Sequence, residues 1–230
     1  MSEKTADDFI IIAHRGASEY EPENTFSSFD KAIELGADMM EFDVRLSLDN
    51  KLVVVHDPRV NRTTDGKGKV RDKTARELLA LDAGGGNKIP LVEEIFKRYA
   101  GKIKFVIELK DYNTEEPILE LIEQYGIIDD VYIVSFSKRI LKKIKILEPD
   151  ITTGLIKVLP TNIAKDCKYC GADVIAVLRY FINKKLVEKT RKDNLLLFAW
   201  TVNDPVQCVQ FRKMGIVGVV TNKPDVLKLV

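Results

Sequence analysis

The feature that most constrains this chain is a repeated alternation of short apolar runs with longer amphipathic stretches. The apolar runs are rich in Ile and Val, as expected of strands that are buried on both faces of a parallel sheet. Nine such runs predict strands, at Phe9–Ala13, Met39–Val44, Leu52–His56, Ile103–Leu109, Val131–Ser135, Thr152–Ile156, Asp173–Leu178, Leu195–Thr201 and Val217–Thr221. Apolar residues at helical spacing predict helices in most of the gaps, at Asn24–Leu35, Thr114–Tyr125, Lys138–Leu147, Ile163–Tyr169, Asn183–Lys192 and Pro205–Met214. In the first of these helices, Asn24 is the predicted N-cap.

One run departs from the alternation and predicts a hairpin. Only seven residues separate Val44 from Leu52, and they include the turn signal Asp49-Asn50. A parallel crossover needs about a dozen residues or more, so Leu52–His56 is predicted to return antiparallel. A two-residue turn at Asp49-Asn50 would place His56 opposite Asp43. The other eight strands predict an α/β fold, a TIM (β/α)₈ barrel with this antiparallel hairpin arm.

The segment from Pro58 to Pro90 fits neither pattern. It is polar, contains two glycine-rich stretches and carries one short helical pattern, Thr74–Leu81. We interpret it as a small insertion at the mouth of the barrel, at about residues 58–90. The prediction is therefore one domain over residues 1–230 with this insertion.

Composition excludes several classes of partner. The 36 Lys and Arg residues against 35 Asp and Glu give a net charge of +1, which predicts no nucleic-acid partner. No apolar run approaches the ~20 residues of a membrane span, so stable membrane insertion is not expected. Three cysteines, and a polar start over residues 1–8 that is unlike a signal peptide, predict a cytoplasmic protein. The oligomeric state stays open.

Carboxylates stand near the predicted C-terminal ends of two strands, the end at which TIM-barrel sites lie. Glu41 and Asp43 are two residues apart and therefore share one face of their strand. Glu108 and Lys110 share a face in the same way on another strand. Three carboxylates without Cys or His ligands suit a hard divalent cation, Mg²⁺ or Ca²⁺.

The charges around this cluster predict the kind of substrate. Three carboxylates and a divalent cation sum to −1, but Arg15 and Lys110 add two positive charges and reverse the sign. A metal ion with an arginine and a lysine forms a clamp for a phosphoryl group. His14 and His56, the only histidines in the chain, are candidates for the general acid and base. Trp200 ends a later strand and is predicted to contact the substrate.

Six short motifs carry a family resemblance, and they occur in the order His14-Arg15-Gly16-Ala17, Pro22-Glu23-Asn24-Thr25, Glu41-Phe42-Asp43, His56-Asp57-Pro58, Glu108-Leu109-Lys110 and Trp200-Thr201-Val202-Asn203. With Arg62-Thr63-Thr64-Asp65-Gly66 and Ile89-Pro90-Leu91 in the insertion, they resemble the glycerophosphodiester phosphodiesterase family of the phosphatidylinositol-phospholipase-C-like superfamily. The resemblance implies a TIM barrel and a metal-dependent hydrolysis of glycerophosphodiesters to sn-glycerol 3-phosphate and an alcohol.

The same resemblance assigns roles to individual residues. It places the catalytic histidines at His14 and His56, the metal carboxylates at Glu41, Asp43 and Glu108, and the phosphate contacts at Arg15 and Lys110. One departure is Asn222, where the family commonly has Asp before a proline, and its role stays open. By resemblance to related barrels, a substrate hydroxyl attacks the phosphorus, with His56 as base and His14 as acid.

Three other functions compete with this interpretation. A lysophospholipase D type activity on lysophospholipids would keep the chemistry, and an apolar groove beside the mouth would favour it. A phosphate-binding protein without catalysis would lack a histidine or a carboxylate of the set, and none is missing here. An unrelated sugar-phosphate isomerase would lack the pattern of two histidines.

Overall fold

Eight parallel strands close into a barrel in the computed structural model of the chain, which describes residues 9–229. The polar start at residues 1–8 lies outside the described residues. In chain order the strands are β1 (Ile10–Ala13), β2 (Met39–Leu46), β3 (Leu52–Val54), β4 (Lys104–Leu109), β5 (Val131–Ser135), β6 (Thr152–Lys157), β7 (Val174–Leu178), β8 (Leu196–Trp200) and β9 (Gly218–Thr221). Each strand except β3 lies parallel to its neighbours, and β1 closes the ring by pairing with both β2 and β9. This confirms the predicted TIM barrel.

Helices connect successive barrel strands on the outside, and one further short helix, within residues 58–90, belongs to the insertion. They are α1 (Phe26–Glu34), α2 (Ala75–Ala80), α3 (Val92–Tyr99), α4 (Glu115–Tyr125), α5 (Lys138–Leu147), α6 (Ile163–Cys170), α7 (Lys184–Lys192) and α8 (Pro205–Met214). The sequence analysis did not predict α3, which follows the insertion directly. Its Val92, Ile95, Phe96 and Tyr99 are all buried, so the helical spacing was present in the sequence. Among the helices of residues 9–229, none has the length and apolar character that crossing a membrane requires.

The predicted start of α1 was wrong by one residue. Thr25, and not Asn24, is the N-cap, because its hydroxyl accepts a hydrogen bond from the Ser28 backbone N–H at 3.3 Å. The Ser28 hydroxyl accepts in return from the Thr25 backbone N–H, which completes a capping box. Asn24 has a φ of +58° and lies outside the helix, where its side chain is free for another contact.

The predicted register of the hairpin was also wrong by one residue. Strand β3 pairs antiparallel with β2, and Val44 lies opposite Val54. The Val55 backbone N–H donates to the Asp43 carbonyl at 3.0 Å, so Val55 occupies the place predicted for His56. The reason is a three-residue loop over residues 48–50, in which Asn50 takes a left-handed φ of +56°.

Two apolar layers hold the barrel, one inside the ring of strands and one between the strands and the helices. A third, smaller cluster holds the insertion. There Val60, Val70 and Leu78 of the insertion pack against Val53 and Val55 of the hairpin arm. The hairpin arm thereby holds the insertion against the barrel.

Candidate active site

The turn that follows β1 aims two predicted site residues at the barrel mouth. Arg15 has a left-handed φ of +57°, and its backbone N–H donates to the Glu41 Oε2 at 2.7 Å. Gly16 follows with a φ of +79°, and a Cβ atom there would lie 2.4 Å from the Ser28 Oγ. Only glycine therefore lets this turn pack against α1. The turn His14-Arg15-Gly16 therefore positions the Arg15 side chain at the barrel mouth and the Arg15 backbone N–H on Glu41.

The three predicted metal carboxylates come together in the structure. Glu41 and Asp43 point from β2, and Glu108 from β4, where Asp43 and Glu108 are neighbours in register. One oxygen of each lies within 4.8 Å of the others, and none of the three residues is more than 7% exposed. Carboxylates buried this deeply repel one another unless positive charge is close by.

Two predicted phosphate-binding residues lie directly on these carboxylates. The Arg15 Nε is 3.2 Å from the Asp43 Oδ2. The Lys110 Nζ is 3.0 Å from the Asp43 Oδ1 and 2.6 Å from the Glu108 Oε1. Burial raises the pKa of Asp43, but Lys110 and Arg15 outweigh it and lower that pKa to about 2. Glu41 differs, because burial and the charges of Asp43 and Glu108 raise its pKa well above the usual value.

The cluster fits a divalent cation on the chemistry of its donors. Three carboxylates against Arg15 and Lys110 leave one negative charge that the side chains do not balance. Burial also raises the pKa of Glu108 to about 7, a sign that this charge is poorly compensated. Buried oxygen ligands alone are the set that Mg²⁺ and Ca²⁺ prefer. Glu41, Asp43 and Glu108 are therefore the residues that would hold the ion.

Asn24, which the sequence analysis took for a helix cap, holds one of the three clustered carboxylates in place. Its side-chain Nδ2 donates to the Asp43 Oδ2 at 2.9 Å, and its Oδ1 accepts from the Asp43 backbone N–H at 3.3 Å. Asn24 is only 4% exposed. Its left-handed backbone turns the side chain away from α1 and towards β2, and the helix pattern gave no signal of this conformation.

His14 is held by a residue whose role the sequence left open. The Asn222 Oδ1 lies 2.7 Å from the His14 Nδ1 and accepts its proton, so the His14 Nε2 carries the lone pair. Burial and the neighbouring Arg15 lower the pKa of His14 to about 4. The histidine that follows β1 is therefore neutral at pH 7 and backed by an uncharged partner from the end of β9.

His56 is held by a carboxylate instead. The Asp57 Oδ1 lies 2.6 Å from the His56 Nδ1, which again leaves the lone pair on Nε2. Burial lowers the pKa of His56, whereas Asp43 and Asp57 act in the opposite direction. The error in the predicted register did not move His56 away from the site, because it follows β3 where the hairpin reaches the mouth.

A cavity of about 240 Å³ joins these groups. Seven of the eight predicted site residues line it, namely His14, Arg15, Glu41, His56, Glu108, Lys110 and Trp200. Asp43, the eighth, is fully buried beside it. The lower wall is apolar and comes from the barrel interior. On that wall the Trp200 indole donates to the Ala176 carbonyl at 3.2 Å, and its ring packs edge-on against Phe136.

Comparison with known proteins agrees with this geometry. The model of the glycerophosphoryl diester phosphodiesterase family matches residues 14–226. A glycerophosphodiester phosphodiesterase of Caldanaerobacter subterraneus is 36% identical over 95% of this chain and 96% of its own length. One from Bacillus subtilis is 31% identical over 95% of this chain and 85% of its own length.

A solved structure shows the same fold around a reaction product. It is that of an Oleispira antarctica phosphodiesterase in complex with the product sn-glycerol-3-phosphate. It superposes with a TM-score of 0.90 and 27% identity, and the match covers 96% of this chain and 95% of that one. On the family match, the two relatives and this fold, the chain belongs to the glycerophosphoryl diester phosphodiesterase family.

Proposed function

We propose that the protein hydrolyses glycerophosphodiesters to sn-glycerol 3-phosphate and an alcohol, with a divalent cation, Mg²⁺ or Ca²⁺, and two histidines. The observation that carries the proposal is the convergence of three buried carboxylates, two cationic side chains and two histidines on one cavity. The names of the relatives support the reaction, and the product complex of the Oleispira antarctica protein supports the product. The partner is thus a small phosphodiester.

The phosphate would bind at the polar end of the cavity. A cation held by Glu41, Asp43 and Glu108 would supply positive charge beside the phosphodiester. Arg15 and Lys110 already lie on the same carboxylates, at the edge of the cavity, and would donate to the phosphoryl oxygens. The five residues together with the cation would bind an anion that the carboxylates alone repel.

The two histidines would move the protons. The His56 Nε2 takes the proton from the glycerol hydroxyl next to the phosphodiester, and that oxygen attacks phosphorus. The bond from phosphorus to the alcohol breaks, and the leaving oxygen takes a proton from the Nε2 of His14, which has to be protonated from solvent before this step because the free site holds it neutral. Water then opens the cyclic phosphate with the two roles reversed, so that protons and bonds balance. A hydroxyl already held beside the phosphorus avoids much of the entropy cost of attack.

The geometry supports His56 as the base. Asp57 is a carboxylate, so it stabilises the imidazolium that forms when His56 takes a proton. Asn222 gives His14 no such charge, so a proton on the His14 Nε2 is held less well than one on His56 and passes more readily to the leaving oxygen.

A lysophospholipase D activity has one observation in its favour. An apolar groove of about 380 Å³ lies beside the mouth, and Phe136, Val158 and Leu159 line it. Phe136 also lines the central cavity, so the two spaces adjoin. The similar proteins reported above are named for glycerophosphodiesters and give this alternative no support.

The proposal is tested by measuring sn-glycerol 3-phosphate released from glycerophosphocholine and glycerophosphoethanolamine, and choline released from lysophosphatidylcholine, with chelator and with added Mg²⁺ or Ca²⁺. We expect the small diesters to turn over and the chelator to abolish turnover. Glu41→Gln and Glu108→Gln should remove most activity while the fold survives. Full activity in excess chelator would contradict the role of the metal. Turnover of the lysophospholipid alone would favour the alternative.

The expected cytoplasmic location belongs to the same proposal and rests on the low cysteine content of the chain. The three cysteines, at positions 167, 170 and 208, are free and buried in the structure. Cell fractionation that finds the protein outside the cytoplasm would contradict this part.

A further inference from the structure

The insertion sends one side chain to the active site. Arg62 ends the 3₁₀ turn Val60–Arg62, and Val60 anchors that turn because it is fully buried in the small cluster of the insertion. The Arg62 side chain is about half exposed, at 48%. Despite this exposure it makes four hydrogen bonds to two carboxylates, Glu23 and Asp57.

The four bonds form two forked pairs. Towards Glu23, the Arg62 Nη1 donates to Oε2 at 2.8 Å and Nη2 donates to Oε1 at 2.8 Å. Towards Asp57, Nε donates to Oδ2 at 2.8 Å and Nη2 donates to Oδ1 at 3.1 Å. A guanidinium has the planar array of donors that this arrangement requires, and a lysine ammonium does not.

The oxygens that Nη2 binds are the ones that hold the site residues. The Asp57 Oδ1 accepts from both the Arg62 Nη2 and the His56 Nδ1. The Glu23 Oε1 accepts from both the Arg62 Nη2 and the Arg15 Nη1, the latter at 2.9 Å. One nitrogen of the insertion therefore lies two hydrogen bonds from His56 and two from Arg15.

We propose, on the basis of the function proposed above, that Arg62 is a positioning residue that orients His56 through Asp57 and Arg15 through Glu23. It does not line the cavity among the described residues, so its effect passes through its partners. The fork fixes the rotamers of both carboxylates. Asp57 can then hold the His56 Nδ1–H so that Nε2 keeps its lone pair, and Glu23 can hold the Arg15 guanidinium at the phosphate position.

The experiment compares Arg62→Ala and Arg62→Lys with Arg59→Ala. Arg59 lies three residues earlier on the same exposed segment, and no ion pair of its side chain occurs among the described residues. We expect Arg62→Ala to lower kcat/KM on the order of 10–10²-fold, as loss of a group that supports a site residue typically does. Arg62→Lys should recover little of the loss, because lysine cannot bind both carboxylates in a fork. Arg59→Ala should keep wild-type values.

Chemical rescue distinguishes the proposed positioning role of Arg62 from a purely structural role. Guanidinium ion at a low, non-denaturing concentration should restore part of the kcat/KM of Arg62→Ala, and it should not raise that of Arg59→Ala or the wild type. If Arg62→Ala does not fold, Arg62→Lys carries the test, and wild-type kcat/KM in Arg62→Lys overturns the proposal. Folded Arg62→Ala with kcat/KM within twofold of wild type, or without rescue, also overturns it. Failure of the proposed function would appear separately, as a wild-type enzyme that releases no sn-glycerol 3-phosphate.

Discussion

The two histidines of the site are held in opposite ways, although both present the same nitrogen to the cavity. His14 follows a barrel strand and is bound by Asn222 from the neighbouring strand, so its partner is neutral. His56 lies on the hairpin arm and is bound by Asp57, whose other partner, Arg62, comes from the insertion. One half of the site is therefore built by the closed barrel and the other half by its additions.

The difference in partners supports the different roles that we propose for the two histidines. A carboxylate stabilises a protonated histidine, and an amide oxygen does so much less. Asp57 therefore stabilises a proton on His56, whereas His14, whose pKa burial and Arg15 lower to about 4, gives up a proton readily once it has been protonated. The predictions below test this contrast, beginning with the largest expected effect.

Removing either histidine should have the largest effect. General acid or base catalysis contributes ~10²–10⁴-fold, so His14→Ala and His56→Ala should each lower kcat by that order. The double variant should lose less than the product of the two, because the groups act in one step. Steady-state release of sn-glycerol 3-phosphate measures this. Near-wild-type kcat in one single variant would remove that histidine from the mechanism.

Removing the charge behind His56 should have an intermediate effect. Asp57→Asn keeps the size of the side chain and loses the carboxylate, so we expect kcat to fall on the order of 10–10²-fold. KM should change less, because Asp57 does not line the phosphate end of the cavity. An unchanged kcat would show that the partner of His56 does not set its role.

Adding a charge behind His14 should have the smallest effect on rate and a clear effect on pKa. Asn222→Asp places a carboxylate at the His14 Nδ1, which should raise the pKa of His14 above about 4. Because the chain has only two histidines, proton NMR titration in the presence of chelator can follow each of them. An unchanged titration of His14 would contradict the contact with Asn222.

The Asn222→Asp variant should also differ from the wild type in how much folding stability it loses at acidic pH. The folded pKa of His14, about 4, lies below its unfolded value of ~6.5. The stabilisation from neutral His14 is therefore present above pH ~6.5 and is lost as the pH falls towards 4. Asn222→Asp should lose less stability over this window. Thermal melts of both proteins in chelator at pH 7 and pH 5 provide the comparison, and equal losses would contradict the lowered pKa.

The contrast between the two halves also explains what the sequence could predict. The half of the site that the barrel builds could be predicted from the hydrophobic pattern, because buried parallel strands appear in the sequence as apolar runs. Glu41, Asp43 and Glu108 lie on two of these strands and were found in this way. The hairpin half depends on single backbone conformations. The left-handed Asn50 added one residue to the turn and shifted the register, and the left-handed Asn24 turned a predicted cap into a partner of Asp43.

Contacts between residues that are distant in the sequence were the other limit on what the sequence could predict. Asn222 is 208 residues from His14 along the chain, and only closure of the barrel brings them together. Glu23 and Arg62 are 39 residues apart and stand in motifs that resemble the family, yet no local spacing indicates that they form a fork. Polar residues that act through another residue leave no periodic signal, whereas the residues that line the cavity are indicated by their place at strand ends.

The most direct test of the contrast is a comparison of two leaving groups in the two histidine variants. Choline needs a proton to leave as an alcohol, whereas p-nitrophenol leaves as a stable anion. With glycerophosphocholine, His14→Ala and His56→Ala should both lose ~10²–10⁴-fold in kcat. With the p-nitrophenyl ester of sn-glycerol 3-phosphate, His14→Ala should recover most of its loss and His56→Ala should not. Recovery in His56→Ala instead, or equal losses on both substrates in both variants, would contradict the assignment of His14 as acid and His56 as base.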